Sequence, residues 1–157
     1  MKKIVAIIGV VSIGFSGFAS TEPIAHDIGL SIHKALDDSE TGIKFFKGSW
    51  ADAKKASDDK GKLIFLDAYA SWCGPCKTMA RKTFTDKTVG EFFNKNFINV
   101  KMDMEKNSEG PRLSRKFKLT AYPSLYFLDK NEEIVHFALG MHGPKDLIKA
   151  GQFALNK

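Results

Sequence analysis

Trp72-Cys73-Gly74-Pro75-Cys76-Lys77 (WCGPCK) is the stretch that decides the fold, and it holds both cysteines of the 157-residue chain. Two sulfurs separated by two residues fit within one turn and can alternate between dithiol and disulfide. The apolar run at residues 62–66 (KLIFL) predicts a buried strand, and Pro75 suits the first turn of a helix. The pair is therefore expected at a strand-to-helix junction, where free backbone N–H groups and the helix dipole favour a thiolate.

The first twenty residues differ in composition from the rest of the chain. A lysine pair is followed by an almost wholly apolar run at residues 4–18 and then by small residues. This arrangement predicts a secretory signal peptide at residues 1–20, cleaved after Ala19 or Ser20. An uncleaved membrane anchor is the alternative, but the run is shorter than the roughly 20 apolar residues of a spanning helix. We therefore expect an exported protein, periplasmic in a bacterium or otherwise secreted.

Charge and cysteine content narrow the function classes. The net charge is +6, and the lysines are spread along the sequence rather than gathered into a basic stripe, so we expect no nucleic-acid partner. An exported domain with two cysteines can form only one disulfide. We expect the hydrophobic core to stabilise the fold, so that this disulfide is free to take part in a redox reaction. Residues 21–42 predict a polar N-terminal extension, and residues 43–157 predict one domain, which we expect to be a monomer.

Hydrophobic periodicity predicts alternating strands and helices in this domain. Strands are expected at residues 43–46, 62–69, 99–104, 124–128 and 134–139. Helices are expected to begin near Ser49, Cys73, Asp86, Pro111 and Gly143. Alternation in the first half implies parallel pairing, whereas the short turn before residue 134 implies an antiparallel hairpin. The predicted fold class is α/β, a mixed central β-sheet with helices on both faces.

Along about residues 43–155 the chain resembles the thioredoxin superfamily. Residues 72–77 match the thioredoxin active site in full. Asp67 lies where the family has a buried carboxylate, and Lys101 falls in the strand where the family keeps a lysine facing that carboxylate. The resemblance implies a thioredoxin fold and a role for these residues in disulfide exchange.

Two further segments carry the same resemblance. Tyr122-Pro123-Ser124 occupies the place of the family's cis-proline loop, which implies a cis peptide bond before Pro123, and Gly140 follows the last strand where the family has glycine. Residues 83–86 are similar to exported thioredoxin-like proteins. They also resemble the C-terminal domain of transmembrane thiol:disulfide interchange reductases.

The expected chemistry is thiol–disulfide exchange. Cys73 is the predicted nucleophile, and Cys76 resolves the mixed disulfide that Cys73 forms with a substrate. Asp67 on its buried strand should have a raised pKa and is the predicted proton acceptor for Cys76. Lys101 is expected to tune this carboxyl, with a solvated lysine at a strand edge as the alternative. Lys77 is either a second favourable charge or an ordinary surface lysine.

The predicted substrate-binding residues are Trp72, Gly74, Pro75, Tyr122 and Pro123. Trp72 is expected to lie beside the cysteines, and the backbone of Tyr122 to pair with an extended substrate. Half of a zinc site is the alternative interpretation of the cysteine pair, but zinc normally requires two further ligands at recognisable spacing. The four histidines are scattered, so we expect no metal and no cofactor.

Together these features predict an exported thiol:disulfide oxidoreductase that mainly reduces protein disulfides, because Gly-Pro between the cysteines resembles thioredoxin. A reductase in an oxidising compartment needs electrons from elsewhere. The expected partners are therefore disulfide-containing proteins and a membrane electron donor of the thiol:disulfide interchange type. The alternatives are a thiol oxidase or isomerase of the same fold, and a non-enzymatic thioredoxin-fold module that binds client proteins.

Overall fold

The computed structural model describes residues 41–157. The signal peptide predicted at residues 1–20 lies outside the described residues, as does all but the end of the extension predicted at 21–42. The elements follow in the order α1 (Trp50–Lys60), β1 (Leu63–Tyr69), α2 (Gly74–Lys82), α3 (Lys87–Asn96), β2 (Phe97–Asp103), α4 (Gly110–Lys116), β3 (Ser124–Leu128), β4 (Ile134–Leu139) and α5 (Pro144–Leu155). Between residues 41 and 157, every helix is too short or too polar to span a bilayer.

The four strands form one mixed sheet in the order β2-β1-β3-β4. Strand β1 pairs with β2 in parallel and with β3 in antiparallel, and β3 pairs with β4 in antiparallel. This mixed sheet confirms the predicted fold class. Its central strand β1 leads directly into the cysteine pair.

Two apolar cores lie on opposite faces of the sheet. The first packs Trp50 of α1 and Leu113 of α4 against the sheet. The second packs Met79 of α2, together with side chains of α3 and α5, against Phe65 of β1. Helices therefore cover both faces, and α2 is held over the face of β1 that carries Phe65.

Local sequence signals set the bounds of the first helix. Ser49 caps α1 by accepting from the Asp52 N–H, and the Asp52 carboxylate accepts from the Ser49 N–H in return. Gly61 ends the helix in the left-handed region, at φ 60°. The start of this helix near Ser49 was predicted from the sequence.

The strand predicted at residues 43–46 is wrong. The segment is extended but forms no ladder: the Ile43 N–H donates to the Phe84 carbonyl and the Phe46 N–H donates to the Asn99 carbonyl, at 2.7 Å each. These two bonds go to different elements, so the segment connects the turn after α2 to strand β2. Its apolar alternation arises because its side chains pack alternately onto the two cores.

Glu132, in the turn between β3 and β4, is a buried acid that the sequence did not reveal. It accepts from the Trp50 indole N–H at 2.7 Å and from both terminal nitrogens of Arg112 at 2.8 and 2.9 Å. Lys54 and Lys116 lie 3.1 and 3.4 Å away. The hydrogen bonds from Arg112 are the main reason that the pKa of Glu132 lies far below its usual range. The carboxylate thus ties α1 and α4 to the hairpin.

Replacing Glu132 with Gln should destabilise the fold, because the cations and the indole lose a buried charge that they share. We expect a loss of about 1–3 kcal/mol in the free energy of unfolding, measured by urea denaturation at pH 7. Glu133→Gln is the matched control: its side chain is 76% exposed, and the change should be within about 0.5 kcal/mol. Equal losses in the two variants would contradict a structural role for the buried carboxylate.

Candidate active site

Cys73 and Cys76 are joined by a disulfide at the start of α2, with their Cα atoms 5.4 Å apart. Cys73 is the N-cap residue, and its sulfur accepts from the Cys76 N–H at 3.2 Å. Pro75 occupies the first turn, where backbone N–H groups have no partner within the helix, so the N–H that proline lacks is not needed there. The Lys77 N–H donates to the Cys73 carbonyl. The pair therefore lies at the expected strand-to-helix junction, with the helix N-terminus directed at the sulfur of Cys73.

Both cysteines are nearly covered, at 2% and 3% exposure. They pack with Ala70, and the half-buried rings of Tyr69 and Tyr122 adjoin them. In contrast, Gly74 and Pro75 between them are exposed. The two sulfur atoms are therefore largely shielded, whereas the residues between the two cysteines are open to solvent.

Asp67 lies on β1 and is 1% exposed. Alternation along the strand places its side chain on the face that carries Phe65, which packs with Met79 of α2, so Asp67 lies beneath the cysteine helix. Neither carboxyl oxygen has a hydrogen-bond partner among the described residues. Burial raises the pKa of Asp67 to about 6, and the positive charge of Lys101 limits this rise. A carboxyl that titrates near neutrality can accept and release a proton.

Lys101 stands opposite Asp67 in the parallel pairing of β1 with β2. Its Nζ lies 3.7 Å from Asp67 Oδ2, which makes the contact an ion pair rather than a hydrogen bond. The lysine side chain is only 27% exposed. Lys101 thus lies on an edge strand with a partly buried side chain, and its ammonium is held beside Asp67.

An aromatic surface adjoins the disulfide. Trp72 is 67% exposed; its indole N–H donates to Glu105 Oε2 at 2.9 Å, and its ring meets that of Tyr122 edge-on at 5.7 Å between centroids. The Tyr122–Pro123 peptide bond is cis, as the resemblance implies. The Pro123 carbonyl accepts from the Gly140 N–H at 2.9 Å, which ties this loop to the end of β4.

A family model described as thioredoxin-like matches residues 46–130, more than half of the chain. The chain belongs to the thioredoxin-like family.

Two relatives illustrate the range of this family. Thioredoxin-1 of Drosophila melanogaster is 37% identical over 84 residues, which cover 54% of this chain and 71% of the relative. The thiol:disulfide interchange protein DsbD of Haemophilus ducreyi is 35% identical over 79 residues, which cover 50% of this chain and 14% of DsbD. The chain therefore spans only a small part of the length of DsbD.

Solved structures match a larger share of the chain. The solution structure of a candidate disulphide-isomerase from Bacteroides thetaiotaomicron is 35% identical with a TM-score of 0.66, and the match covers 74% of this chain and 96% of that one. The oxidised C-terminal domain of DsbD from Neisseria meningitidis has a TM-score of 0.56 at 21% identity, over 69% of this chain and 97% of that domain. At that identity the second likeness shows the fold alone.

The thioredoxin-like site brings most of the predicted residues together. The rings of Trp72 and Tyr122 meet beside the disulfide, and Asp67 faces Lys101. The Lys77 side chain is exposed on α2, which fits an ordinary surface lysine. Across residues 41–157, no three His, Cys, Asp or Glu side chains are grouped so that they could hold a metal ion.

Sequence reasoning missed three residues of this thioredoxin-like site. Glu105 follows the end of β2, at the same sheet edge as the cysteines, and this position could have indicated its contact with Trp72. Phe45 and Phe84 border the Lys101 ammonium, with ring centroids 5.8 and 5.5 Å from Nζ. No local pattern indicated these rings, because they come from irregular segments.

Replacing Asp67 with Asn should stabilise the protein in a pH-dependent way. The pKa of Asp67 is higher in the folded chain, about 6, than its ordinary value of 3.8. The neutral acid therefore favours folding below pH 4, and this contribution is lost as the pH rises through 6.

Urea denaturation should show that the effect of Asp67→Asn is about 2 kcal/mol more stabilising at pH 8 than at pH 4. Asp59→Asn, at a position with 58% side-chain exposure, serves as the control and should show little difference between the two pH values. An Asp67→Asn effect that is the same at both would contradict the raised pKa.

Proposed function

We propose that the protein is an exported thiol:disulfide oxidoreductase that mainly reduces disulfides in other proteins. The observation that carries this proposal is the Cys73–Cys76 disulfide at a helix N-terminus, above a buried carboxyl whose pKa lies near 6. Membership of the thioredoxin-like family supports the same chemistry.

In the first step, the reduced protein attacks a client disulfide. The Cys73 thiolate forms a bond to one client sulfur, the client S–S bond breaks, and the other client sulfur leaves as a thiolate. The amides at the start of α2 and the helix dipole stabilise the negative charge on Cys73 before the attack. The result is a mixed disulfide between Cys73 and the client.

In the second step, Cys76 releases the client. Its thiol loses a proton to the Asp67 carboxylate, and the resulting thiolate attacks the Cys73 sulfur. The mixed disulfide breaks, the second client sulfur leaves as a thiolate, and Cys73 and Cys76 become the disulfide seen in the structure. Two electrons pass to the client, whose two thiolates take up protons.

Client binding is proposed to use the surface around the disulfide, formed by Trp72, Gly74, Pro75, Tyr122 and Pro123. Trp72 is a large ring that is 67% exposed, and rings of this kind contribute much of the binding energy at protein interfaces. The Tyr122 backbone, just before the cis peptide bond, would pair with an extended client segment.

Export is proposed from the sequence of residues 1–20, with its lysine pair and apolar run. In an oxidising compartment the disulfide form would accumulate unless a donor restored the dithiol. We therefore include in the proposal a membrane protein of the thiol:disulfide interchange type, which would reduce the Cys73–Cys76 disulfide by the same exchange in reverse.

A disulfide isomerase is the second candidate, because a structure described as a candidate disulphide-isomerase is 35% identical to this chain. Equilibration with glutathione separates the two. A reduction potential of about −270 mV, as in thioredoxin, supports the reductase, whereas a value of about −180 mV supports the isomerase. A non-enzymatic client-binding role predicts that the Cys73→Ser, Cys76→Ser double variant keeps full function in cells.

Trapping tests the proposed function most directly. A Cys76→Ala variant expressed in the native host should accumulate client proteins as mixed disulfides through Cys73, because the thiol that resolves them is absent. The adducts are measured by non-reducing gel electrophoresis and mass spectrometry.

The matched control is Cys73→Ala, which keeps one thiol of the pair but removes the nucleophile. It should trap few or no clients. Equal trapping by the two variants, or none by Cys76→Ala, would contradict the assignment of Cys73 as the nucleophile of a client-directed oxidoreductase.

A further inference from the structure

The Lys101 ammonium is surrounded by three aromatic rings. The ring centroids of Tyr69, Phe84 and Phe45 lie 4.8, 5.5 and 5.8 Å from Nζ. Asp67 Oδ2 lies 3.7 Å from the same nitrogen. We call the three rings the aromatic box. A cation within about 6 Å of a ring centroid is attracted to the face of the ring. The aromatic box and the Asp67 carboxylate therefore favour the same position for the Lys101 ammonium.

Separate parts of the chain build the box. Tyr69 lies on β1, two residues after Asp67 and on the same face. Phe84 comes from the turn after α2, and Phe45 from the extended segment before α1. The rings of Phe45 and Phe84 meet edge-on at 5.5 Å between centroids, and the Ile43 N–H donates to the Phe84 carbonyl at 2.7 Å.

Gly42 permits this closure. Its φ is +107°, and a side chain there would collide with the Phe84 carbonyl. The glycine therefore lets the segment approach the turn after α2 closely enough for Phe45 to reach the box.

We propose that Phe45, Tyr69 and Phe84 are positioning residues that hold the Lys101 ammonium beside Asp67 and thereby set the protonation of that carboxyl. The catalytic consequence rests on the proposed function, in which Asp67 takes the Cys76 proton. The box itself can be tested without any reference to catalysis.

The physical argument concerns where a lysine side chain would otherwise lie. An ammonium group is strongly hydrated and its stem is flexible, so a lysine with access to solvent tends to extend into water. The Lys101 side chain keeps 27% exposure, and its ion pair with Asp67 has no hydrogen bond to fix it. The rings supply a further constraint, because their faces attract the cation and favour positions of the ammonium that lie close to them.

Other charged groups do not replace this interaction. On β2 the next position on the face that carries Lys101 is Asp103, whose charge has the wrong sign. On β1 the Tyr69 phenol has its pKa raised by burial and by nearby carboxylates. Strand β3 presents Leu125 to this face, and α3 presents Val89 and Phe93. The α2 cysteines are joined as a disulfide and do not titrate. Within the described residues, Lys101 is thus the cation that acts on Asp67.

The test is the titration of the Asp67 carboxyl carbon by NMR in the oxidised protein, where the cysteines carry no proton. Lys101→Met should raise the titration midpoint of Asp67 by about 1–3 pH units, because the opposite charge is lost. Phe45→Leu should raise it by about half a unit, because the ammonium is released toward solvent. Phe45→Tyr, which keeps the ring, should leave the midpoint unchanged.

A double-mutant cycle separates the box from simple burial. In the Lys101→Met background, Phe45→Leu should no longer change the Asp67 midpoint. Phe92→Leu is the matched control: Phe92 contacts Phe93 and Phe97 rather than Lys101, and its loss should not move the midpoint.

Two results would overturn the proposal: no shift with Phe45→Leu in the otherwise native chain, or the same shift with and without Lys101. Neither depends on clients or on redox activity. A failed trapping experiment would therefore count against the proposed function and leave the role of the aromatic box intact. A titration without the expected shifts would count against the aromatic box and leave the proposed function intact.

Discussion

The disulfide and the hydrogen bond from the Cys76 amide to the Cys73 sulfur fix the cysteine pair at the first turn of α2, and the rest of the site is arranged around that turn. Strand β1 ends just before it, so the strand that carries Asp67 also leads directly to Cys73. Met79 then anchors α2 on Phe65, which keeps the helix above the carboxyl. Because β1 is central in the sheet, this junction is held by a parallel neighbour on one side and an antiparallel neighbour on the other.

Two buried acids, Glu132 and Asp67, have opposite pKa shifts because their surroundings differ. Glu132 accepts hydrogen bonds from Trp50 and Arg112, so its charge is stabilised and its pKa is held low. Asp67 has no hydrogen-bond partner and a single cation at ion-pair distance, so burial dominates and its pKa rises to about 6. The first acid joins helices to a hairpin. The second costs stability at neutral pH, and that cost is consistent with a group whose role is to exchange a proton.

The sequence predicted the fold well because its strong signals are local. The WCGPCK turn, the capping box at Ser49 and the apolar strands each specify structure within a few residues. The failure at residues 43–46 has a physical cause: period-two alternation is the same for a paired strand and for an extended segment that packs onto two cores. The roles of the site residues stay predictions that the geometry makes testable.

Other parts of the site could not be predicted because they depend on tertiary convergence. Glu132 lies in a stretch that reads as a solvent-exposed turn, and it is buried only because α1 and α4 bring their donors to it. For Lys101 the sequence left two interpretations, and the choice between them depends on rings from the turn after α2 and from the segment before α1. No local pattern records that these segments meet.

The central claim is that Cys73, at the N-terminus of α2, is a thiolate stabilised by the helix once the disulfide is reduced. The most direct measurement is the rate of iodoacetamide alkylation of Cys73 against pH, in the Cys76→Ala variant so that one thiol reacts. The account predicts that the alkylation rate reaches half of its maximum at a pH of about 7, well below the pKa of about 8.5 of a free cysteine. A midpoint at or above about 8.5, or a thiol that stays inert at neutral pH, would contradict it.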